Sequence, residues 1–369
     1  MMDRRLLTHA NWTLLAFTVM LFFVGAVNLY SASGIRMEDG IIVAPFFQKQ
    51  LVWGGAGLLC MIVCTLFDYR HLRTFALPLF ILAILLLLMV PLVGKTVYGA
   101  KRWIDLGFFS IQPSEIAKIA TLILGATLLS RHKNPLGGLE LCFMLALVSI
   151  PYLLIFRQPD LGTSLLILFL LGGMILYHGL KGYVFKTCCL LIPLLTPASW
   201  FFLRDYHKER ILTFLDPSRD LQGAGYHITQ SQIAIGSGQM WGKGFQEGTQ
   251  GLLRFLPEKH TDFVIAVFSE EWGFFGCVVL LSLFCCFLLC IINTAREAKE
   301  HFGSLLCAGV FFYFFWQILV NIGMVVGLVP VVGIPLPFMS YGGTATIVNF
   351  IMLGLVLNVS MRRFMFKAA

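Results

Sequence analysis

The sequence predicts an all-α protein: a polytopic integral membrane helical bundle of about ten transmembrane helices, with a long extracytoplasmic loop between helices 7 and 8. Hydrophobic residues make up 58% of the 369 residues and charged residues only 12%, whereas soluble proteins carry about 25% charged residues. The apolar residues come in blocks of about 20, which suits a hydrocarbon core of about 30 Å. Because no linker or low-complexity segment divides the chain, we expect residues 1–369 to form one transmembrane domain.

Ten candidate spans follow one another along the chain. They cover approximately residues 12–32, 46–66, 74–93, 112–130, 139–156, 161–178, 183–203, 263–292, 304–329 and 341–361. The termini and alternate loops carry at least two Lys or Arg each, whereas the last of the opposite loops, 330–340, carries no charge. The positive-inside rule therefore predicts that both termini are cytoplasmic and that the 204–261 loop faces outward.

The charge and the cysteines exclude two other classes of function. The net charge of +8 is spread in small groups between apolar blocks, which indicates membrane orientation rather than nucleic-acid binding. All ten cysteines lie in the apolar blocks, and none stands at metal-ligand spacing from a histidine. We interpret them as packing residues and predict no metal site built from them.

The 204–261 loop has a composition that argues for folded structure. Eight glycines recur through it, together with apolar and aromatic residues such as Tyr226, Trp241 and Phe255. Disordered segments are poor in such side chains. We therefore expect short helices lying at the membrane surface, with glycines at tight turns, and we expect this loop to carry function.

Ionisable residues at the spans are the next candidates, because a charge in a membrane costs several kcal/mol unless it is paired or hydrated. Glu115 and Lys118 are three residues apart and share a helix face. They form either a self-neutralising salt bridge or part of a polar cavity open to the outside. Asp160 opens the sixth span, where it is either a helix N-cap or a site residue.

Asp262 stands where the long loop enters the eighth span. It follows the charged residues 258–260, and it is either a simple cap or a carboxylate placed for acid–base chemistry. Further along the same span, we expect one of Glu270 and Glu271 to face the bundle and the other to face the headgroup layer.

The stretch from Asn321 to Ala345 reads NIGMVVGLVPVVGIPLPFMSYGGTA. Its prolines and glycines preclude a continuous helix over residues 327–343. Irregular backbone at membrane depth must be buried in protein or line an aqueous cavity. We therefore predict that this stretch forms a site wall or a re-entrant turn.

With these residues the chain strongly resembles the SEDS family (RodA, FtsW and SpoVE), and most closely its RodA branch, the glycan polymerases of bacterial cell elongation. Five blocks match the family in order, and the likeness covers nearly the whole chain. They are Glu115 to Lys118, Gln158 to Ser164, Gly223 to Ser237, Leu256 to Asp262, and Asn321 to Ala345.

The resemblance implies a peptidoglycan glycosyltransferase that polymerises lipid II into glycan strands for cell-wall elongation and rod shape. It also implies a multi-pass protein of the bacterial cytoplasmic (inner) membrane, with a class B penicillin-binding protein transpeptidase and the elongation machinery as partners. The family's essential aspartate corresponds to Asp262, its polar cavity residues to Glu115, Lys118 and Asp160, and its C-terminal serine to Ser340. Many relatives carry an acidic residue eight positions before the aspartate. Arg254 stands there in this chain, which puts a catalytic role for that neighbour in doubt.

Glycan polymerisation needs a base for the attacking hydroxyl and positive charge for the departing diphosphate. Asp262 is the candidate base, and burial beside apolar neighbours would raise its pKa from the reference value of about 3.9. The positive charge would come from basic side chains or from a divalent cation, Mg²⁺ or Mn²⁺. The basic candidates are Lys101, Arg102, Lys118, Arg210 and Lys259.

Two other functions remain open from the sequence. The first is a flippase that transports lipid II, since intramembrane charges and broken helices also occur in transporters. The second is a non-catalytic scaffold that recruits the transpeptidase. No inverted repeat is visible, and the polar motifs cluster at the outer face, which favours the polymerase.

Overall fold

The helices of the computed structural model follow the predicted spans closely. The structure describes residues 10–33, 36–38, 41–43, 46–97, 100–105, 107, 110–203, 205–220, 223–252, 255–256 and 258–363. Its long helices are α1 Trp12–Ser33, α2 Phe46–Leu66, α3 Leu72–Val93, α4 Pro113–Leu129, α5 Gly138–Arg157, α6 Leu161–His178, α7 Gly182–Ser199, α11 Val264–Glu297, α12 His301–Val326 and α13 Gly343–Arg362. Three further α-helices lie in the described part of the long loop: α8 Asp205–Leu215, α9 Ala224–Ser237 and α10 Thr249–Leu252.

Within the described residues, eight of the long helices are long and apolar enough to cross a membrane. Helices α4 and α7 occupy the positions of the other two predicted spans. The prediction of a membrane helical bundle is therefore confirmed. The short helices expected in the long loop are also present, whereas their position at a membrane surface stays a prediction.

Small antiparallel strands in the loops between spans were not predicted. Strands β1 Arg36–Glu38 and β2 Ile41–Val43 form one hairpin. Strands β3 Lys95–Val97, β4 Ala100–Asp105 and β5 Ser110–Ile111 form a three-stranded sheet between α3 and α4. Strands of two to six residues leave almost no alternating pattern in the sequence, so they could not be predicted from it.

Helix α11 is broken at Gly273, whose φ of 63° and ψ of −163° lie outside the helical region. The break frees backbone groups, and the loop segment 238–244 satisfies them. Phe274 N donates to Gln239 O (2.9 Å), and Gly244 N donates to Glu271 O (3.1 Å). A Cβ on Gly273 would overlap the backbone of this segment. The long loop and α11 thus pack backbone to backbone.

The prediction for Glu270 and Glu271 was wrong, since both side chains are buried. Glu270 accepts hydrogen bonds from Lys243 Nζ (2.6 Å) and Thr249 Oγ1 (3.0 Å) of the long loop. Glu271 accepts one from Ser31 of α1. The folded loop covers this turn of α11, so neither carboxylate is left to face headgroups.

The irregular segment between α12 and α13 is confirmed and is buried in protein. Gly327 ends α12 in a left-handed conformation, and Leu336, Phe338 and Met339 are at most 2% exposed. Glycines of two helices allow the segment to approach closely: a Cβ at Gly25 would overlap Phe338 O, and one at Gly162 would lie 2.6 Å from Val332 O. The segment therefore forms an inner wall of the bundle.

Candidate active site

Asp262 occupies the turn between the long loop and α11, and its backbone is fastened by the C-terminal part of the chain. The carbonyls of residues 260–262 each accept one hydrogen bond. Tyr341 N donates to the first (2.9 Å), Ser340 Oγ to the second (2.6 Å) and Asn321 Nδ2 to the third (3.0 Å). We call these three contacts the carbonyl clamp. They fix the start of α11, and hence the origin of the Asp262 side chain.

Ser340 and Asn321 also form hydrogen bonds with backbone groups of the irregular segment between α12 and α13. Ser340 Oγ accepts from Leu336 N (2.8 Å), and Asn321 Nδ2 also donates to Ile334 O (2.7 Å). Both side chains are buried, at 5% and 0% exposed. Ser340 was expected to contact substrate. The structure places it inside the wall, where it positions the backbone before Asp262.

Two cavities meet at Asp262 and Arg210, which line both of them. The larger cavity has a volume of about 510 Å³, and the smaller about 300 Å³. The ionisable residues of the larger cavity are Lys95, Arg102, Glu115, Asp160, Arg210, Asp262 and Tyr341. Those of the smaller cavity are Tyr206, Glu209, Arg210, Asp220, His227, Glu258 and Asp262. The carboxyl group of Asp262 is therefore reachable from two separate compartments.

The pKa of Asp262 is raised to about 6, chiefly because its carboxyl group is desolvated and secondly because Glu258 lies near. Asp160 raises the pKa further, while Arg210 and Arg102 lower it. A carboxylate with such a pKa is still ionised near neutral pH, yet it holds a proton more firmly than an ordinary aspartate. These are the properties of a general base.

Glu258 supplies an acidic neighbour for Asp262. Its backbone adopts a φ of 51°, which is unusual for a residue with a side chain. Its carboxylate accepts from Thr261 Oγ1 (2.9 Å). Arg254, which replaces the family's acidic residue, lies outside the described residues.

Two of the predicted cations are fixed at the cavity walls. Arg210 Nη1 donates to Val331 O (2.6 Å), and its guanidinium lies over the Tyr206 ring. Arg102 donates to the carbonyls of residues 158–159. Both anchors are backbone carbonyls, so neither positive charge is neutralised there. Each guanidinium can therefore act on a bound anion.

The remaining predicted cations are placed less favourably. Lys101 is exposed and donates to Pro91 O (3.3 Å), and neither Lys101 nor Lys259 lines the two cavities. Lys95, which sequence reasoning missed, does line the larger cavity and pairs with Asp105 (3.4 Å). It stands at the end of α3, and only the folding of β3 brings it to the site.

Asp160 is confirmed as a helix N-cap, and its role as a site residue stays a prediction. Its Oδ1 accepts from Thr163 N (3.1 Å), as an N-cap does, and Gln112 Nε2 reaches Oδ2 (3.4 Å). The same side chain lines the larger cavity. Capping holds the carboxylate in place without removing it from the cavity wall.

Glu115 and Lys118 also combine the two alternatives. They form a buried salt bridge of 2.7 Å with both side chains 3% exposed, and Lys118 Nζ lies 5.2 Å from the centre of the Tyr313 ring. Glu115 Oε2 has no hydrogen-bond partner among the described residues, and Glu115 lines the larger cavity. Lys118 does not line it and reaches it only through Glu115.

His227 is a further residue that the sequence did not single out. It lines the smaller cavity, and its ring stacks on Phe263 with centroids 5.7 Å apart. Burial lowers the pKa of His227 although Glu258 and Asp220 act to raise it, so the ring is neutral near pH 7. Only its place beside the cavity reveals it, because a lone histidine in a loop carries no signal in sequence.

Within the described residues, no group of three or more His, Cys, Asp or Glu side chains is arranged to hold a metal ion. The carboxylates of the two cavities are spread around the walls.

Comparison with known proteins gives a consistent result over the whole chain. Residues 12–364 match the FtsW, RodA and SpoVE family of cell cycle proteins. Peptidoglycan glycosyltransferase MrdB of Escherichia coli K12 is 40% identical over 357 residues, which cover 96% of this chain and 94% of that protein. Stage V sporulation protein E of Bacillus subtilis is 34% identical, with 96% and 97% covered.

Solved structures agree with the sequences. A chain of a peptidoglycan synthase complex that coordinates polymerisation and crosslinking superposes with a TM-score of 0.81 at 30% identity, covering 97% of this chain and 99% of that one. The rod shape determining protein RodA of Thermus thermophilus gives 0.71 at 27% identity, with 97% and 98% covered. Given these matches in sequence and in fold, the chain belongs to the FtsW, RodA and SpoVE family of multi-pass membrane proteins.

Proposed function

We propose that the chain is a peptidoglycan glycosyltransferase that polymerises lipid II into glycan strands for cell-wall elongation. The names of its relatives support the reaction class. The observation that carries the proposal is the position of Asp262: a carboxylate with a pKa of about 6 at the junction of two polar cavities. A polymerase must hold two glycans at once with a base between their reacting atoms.

The charges of the two cavities suit different parts of the substrates. Within the described lining of the smaller cavity, Glu209, Asp220 and Glu258 accompany Asp262, and Arg210 is the sole Arg or Lys. Such a compartment repels a diphosphate and accepts a neutral sugar with its hydroxyl groups. We assign the acceptor glycan to it.

The larger cavity holds Arg102 and Arg210, which are anchored to backbone carbonyls, and Lys95, which pairs with Asp105. One of its three carboxylates, Glu115, is already paired with Lys118. This compartment suits the donor and its diphosphate. Arg210 belongs to both cavities, so its guanidinium stands next to the bond that breaks.

The reaction then follows from the geometry. Asp262 takes the proton of the acceptor hydroxyl, and that oxygen forms a bond to the anomeric carbon of the donor. The bond between the anomeric carbon and the diphosphate oxygen breaks, and the electron pair leaves with the diphosphate. Arg102 and Arg210 stabilise the negative charge that accumulates there. No step requires a metal held by the protein.

The cellular setting completes the proposal. We place the chain in the bacterial cytoplasmic membrane with both termini in the cytoplasm and the 204–261 loop outside, as the charge of the loops indicates. A class B penicillin-binding protein is the proposed partner, supported by the likeness to a chain of a peptidoglycan synthase complex. Neither rival function, a lipid II flippase or a non-catalytic scaffold, requires a general base such as Asp262.

The test is glycan synthesis by the purified chain from lipid II in detergent, with and without the transpeptidase. Asp262→Asn and Asp262→Ala are expected to reduce strand formation by at least about 100-fold, because general-base catalysis contributes about that much. Asp216→Asn is the matched control: it alters an exposed carboxylate of the same loop outside both cavities. Near-normal synthesis by either Asp262 variant would exclude the base role, and absence of strands from the wild type would favour the flippase.

A further inference from the structure

A third polar cavity lies at the opposite end of the bundle from Asp262, between the start of α3 and the end of α4. Its volume is about 420 Å³. It is lined by Arg73, Thr74, Thr127, Ser130 and Arg131. Every side chain in this lining carries a hydrogen-bond donor, and none carries a negative charge. The proposed polymerase reaction uses none of them.

The cavity has an excess of positive charge. Arg131 is exposed, and its guanidinium forms no hydrogen bond or ion pair with any residue the structure describes. Arg73 shares Glu300 (3.4 Å) with Arg70, which binds the same carboxylate more closely (2.9 Å). The Arg73 guanidinium also lies 4.7 Å from the centre of the Phe302 ring, which holds it in place. One carboxylate thus serves two guanidinium groups, and Arg131 has none.

The hydroxyl groups complete an anion-binding lining. Thr127 and Ser130 donate to carbonyls of their own helix (2.8 Å each), and their hydrogens can rotate towards a ligand. Thr74 is exposed in the first turn of α3. Guanidinium and hydroxyl donors around one space match a phosphate, whose oxygens only accept hydrogen bonds when it is ionised.

The surroundings identify the source of the phosphate. Leu77, Ile81 and Leu85 follow Arg73 at helical spacing on one face of α3, and they are 56%, 51% and 53% exposed. Four residues per step keep them on one side of the helix, and twelve residues extend for about 18 Å. An apolar stripe therefore leads away from the cationic cavity along a membrane-spanning helix. A free phosphate ion makes no favourable contact with an apolar stripe, whereas an acyl chain packs against it.

We propose that this cavity binds the phosphate of an anionic phospholipid, with an acyl chain lying along Leu77, Ile81 and Leu85. The site is separate from the glycan site and from its chemistry. It would fasten the ends of α3 and α4 to lipid of one leaflet.

The experiment counts lipids bound to the full-length purified chain by native mass spectrometry, with phosphatidylglycerol as the probe and phosphatidylcholine as the zwitterionic comparison. Arg131→Gln is the main variant, because this side chain makes no structural contact that its loss would break. Lys133→Gln is the control. Lys133 is two residues after Arg131, its side chain is exposed, and it lies outside the cavity, so the substitution removes the same charge without changing the lining. Thr74→Val tests the hydroxyl without changing charge.

We expect the wild type and Lys133→Gln to bind phosphatidylglycerol equally and in preference to phosphatidylcholine. Arg131→Gln should weaken that binding by about tenfold and Thr74→Val by about threefold. Equal binding by Arg131→Gln and Lys133→Gln would overturn the proposal. Displacement of the lipid by inorganic phosphate at millimolar concentration would also overturn it, because the site would then be one for free anions.

Discussion

Replacing Ser340 with Ala tests whether the carbonyl clamp sets the position of Asp262. The substitution removes a single oxygen atom that donates to Thr261 O (2.6 Å) and accepts from Leu336 N (2.8 Å). Because the residue is only 5% exposed, water cannot easily replace either bond. The Asp262 side chain itself is left intact, as are the lining residues of both cavities.

The expected size of the effect follows from the two lost bonds. Each leaves a buried polar group without its partner at about 1 kcal/mol, so the free energy of unfolding should fall by about 2 kcal/mol. The turn before α11 then loses one of its three tethers. A displacement of about 1 Å at a reacting group reduces rates by about 100-fold, so kcat should fall by about 10- to 100-fold with KM nearly unchanged.

The assay measures thermal unfolding and the rate of strand formation from lipid II on the same preparation. Thr18→Val is the control: this residue is 1% exposed, and its hydroxyl donates only to Leu14 O of its own helix (2.8 Å). It should lose stability but keep its kcat. A Ser340→Ala variant with wild-type kcat would refute the positioning role. So would an equal loss of kcat in Thr18→Val, since activity would then follow overall stability.

The remaining predictions concern pH and the broken helix. Because the pKa of Asp262 in the folded chain is raised from 3.8 to about 6, its protonated form stabilises the fold below about pH 4, and this contribution is lost as the pH rises through 6. Asp262→Asn should therefore be more stable than the wild type by up to about 3 kcal/mol at pH 7.5 and equal to it at pH 4. Glycan synthesis by the wild type should decline on acidification through about pH 6, because the base becomes protonated. Melting curves at both pH values and a pH–rate profile check this, and equal stability throughout would contradict it. Gly273→Ala places a Cβ against the docked loop at positive φ and should lower the free energy of unfolding by about 3 kcal/mol or more. The control Gly172→Ala places its Cβ in open space and should change that free energy by less than about 1 kcal/mol. Similar melting points for the two variants would argue against the break in α11. Lys243→Met leaves the buried carboxylate of Glu270 without its cation and should lower the free energy of unfolding by about 3 kcal/mol. The long loop should be cleaved faster by proteases, and adding Glu270→Gln should partly restore stability. An unchanged cleavage rate would show that the ion pair does not hold the loop.

The sequence predicted features that leave a continuous local signal. The spans are predicted by 20-residue apolar blocks. The three prolines between Gly327 and Gly343, together with the glycines there, exclude a continuous helix over that segment. Asp262 was identifiable because a carboxylate at a span entrance is costly without a task. The assignment of one domain to residues 1–369 stays a prediction.

Features that depend on distant pairs of residues could not be predicted. Ser340 has the same appearance in sequence whether it contacts substrate or holds Thr261, because the choice depends on which backbone lies opposite. The environments of Glu270 and Lys95 likewise depend on a docked loop and on a small sheet, neither of which leaves a periodic pattern. A sequence thus shows which charged residues are expensive to place in a membrane, but it does not show which distant residue forms a hydrogen bond or ion pair with them.

The carbonyl clamp has a consequence for biogenesis. The side chains of Asn321 and Ser340 come 59 and 79 positions after the carbonyls that they hold. During translation the carboxylate of Asp262 leaves the ribosome well before either of them. Its geometry is complete only when the segment before α13 has been synthesised and folded into the bundle. A chain that stops before residue 340 lacks at least two of the three tethers, those of Ser340 and Tyr341. We therefore expect copies that lack these tethers to polymerise glycan more slowly than the complete chain.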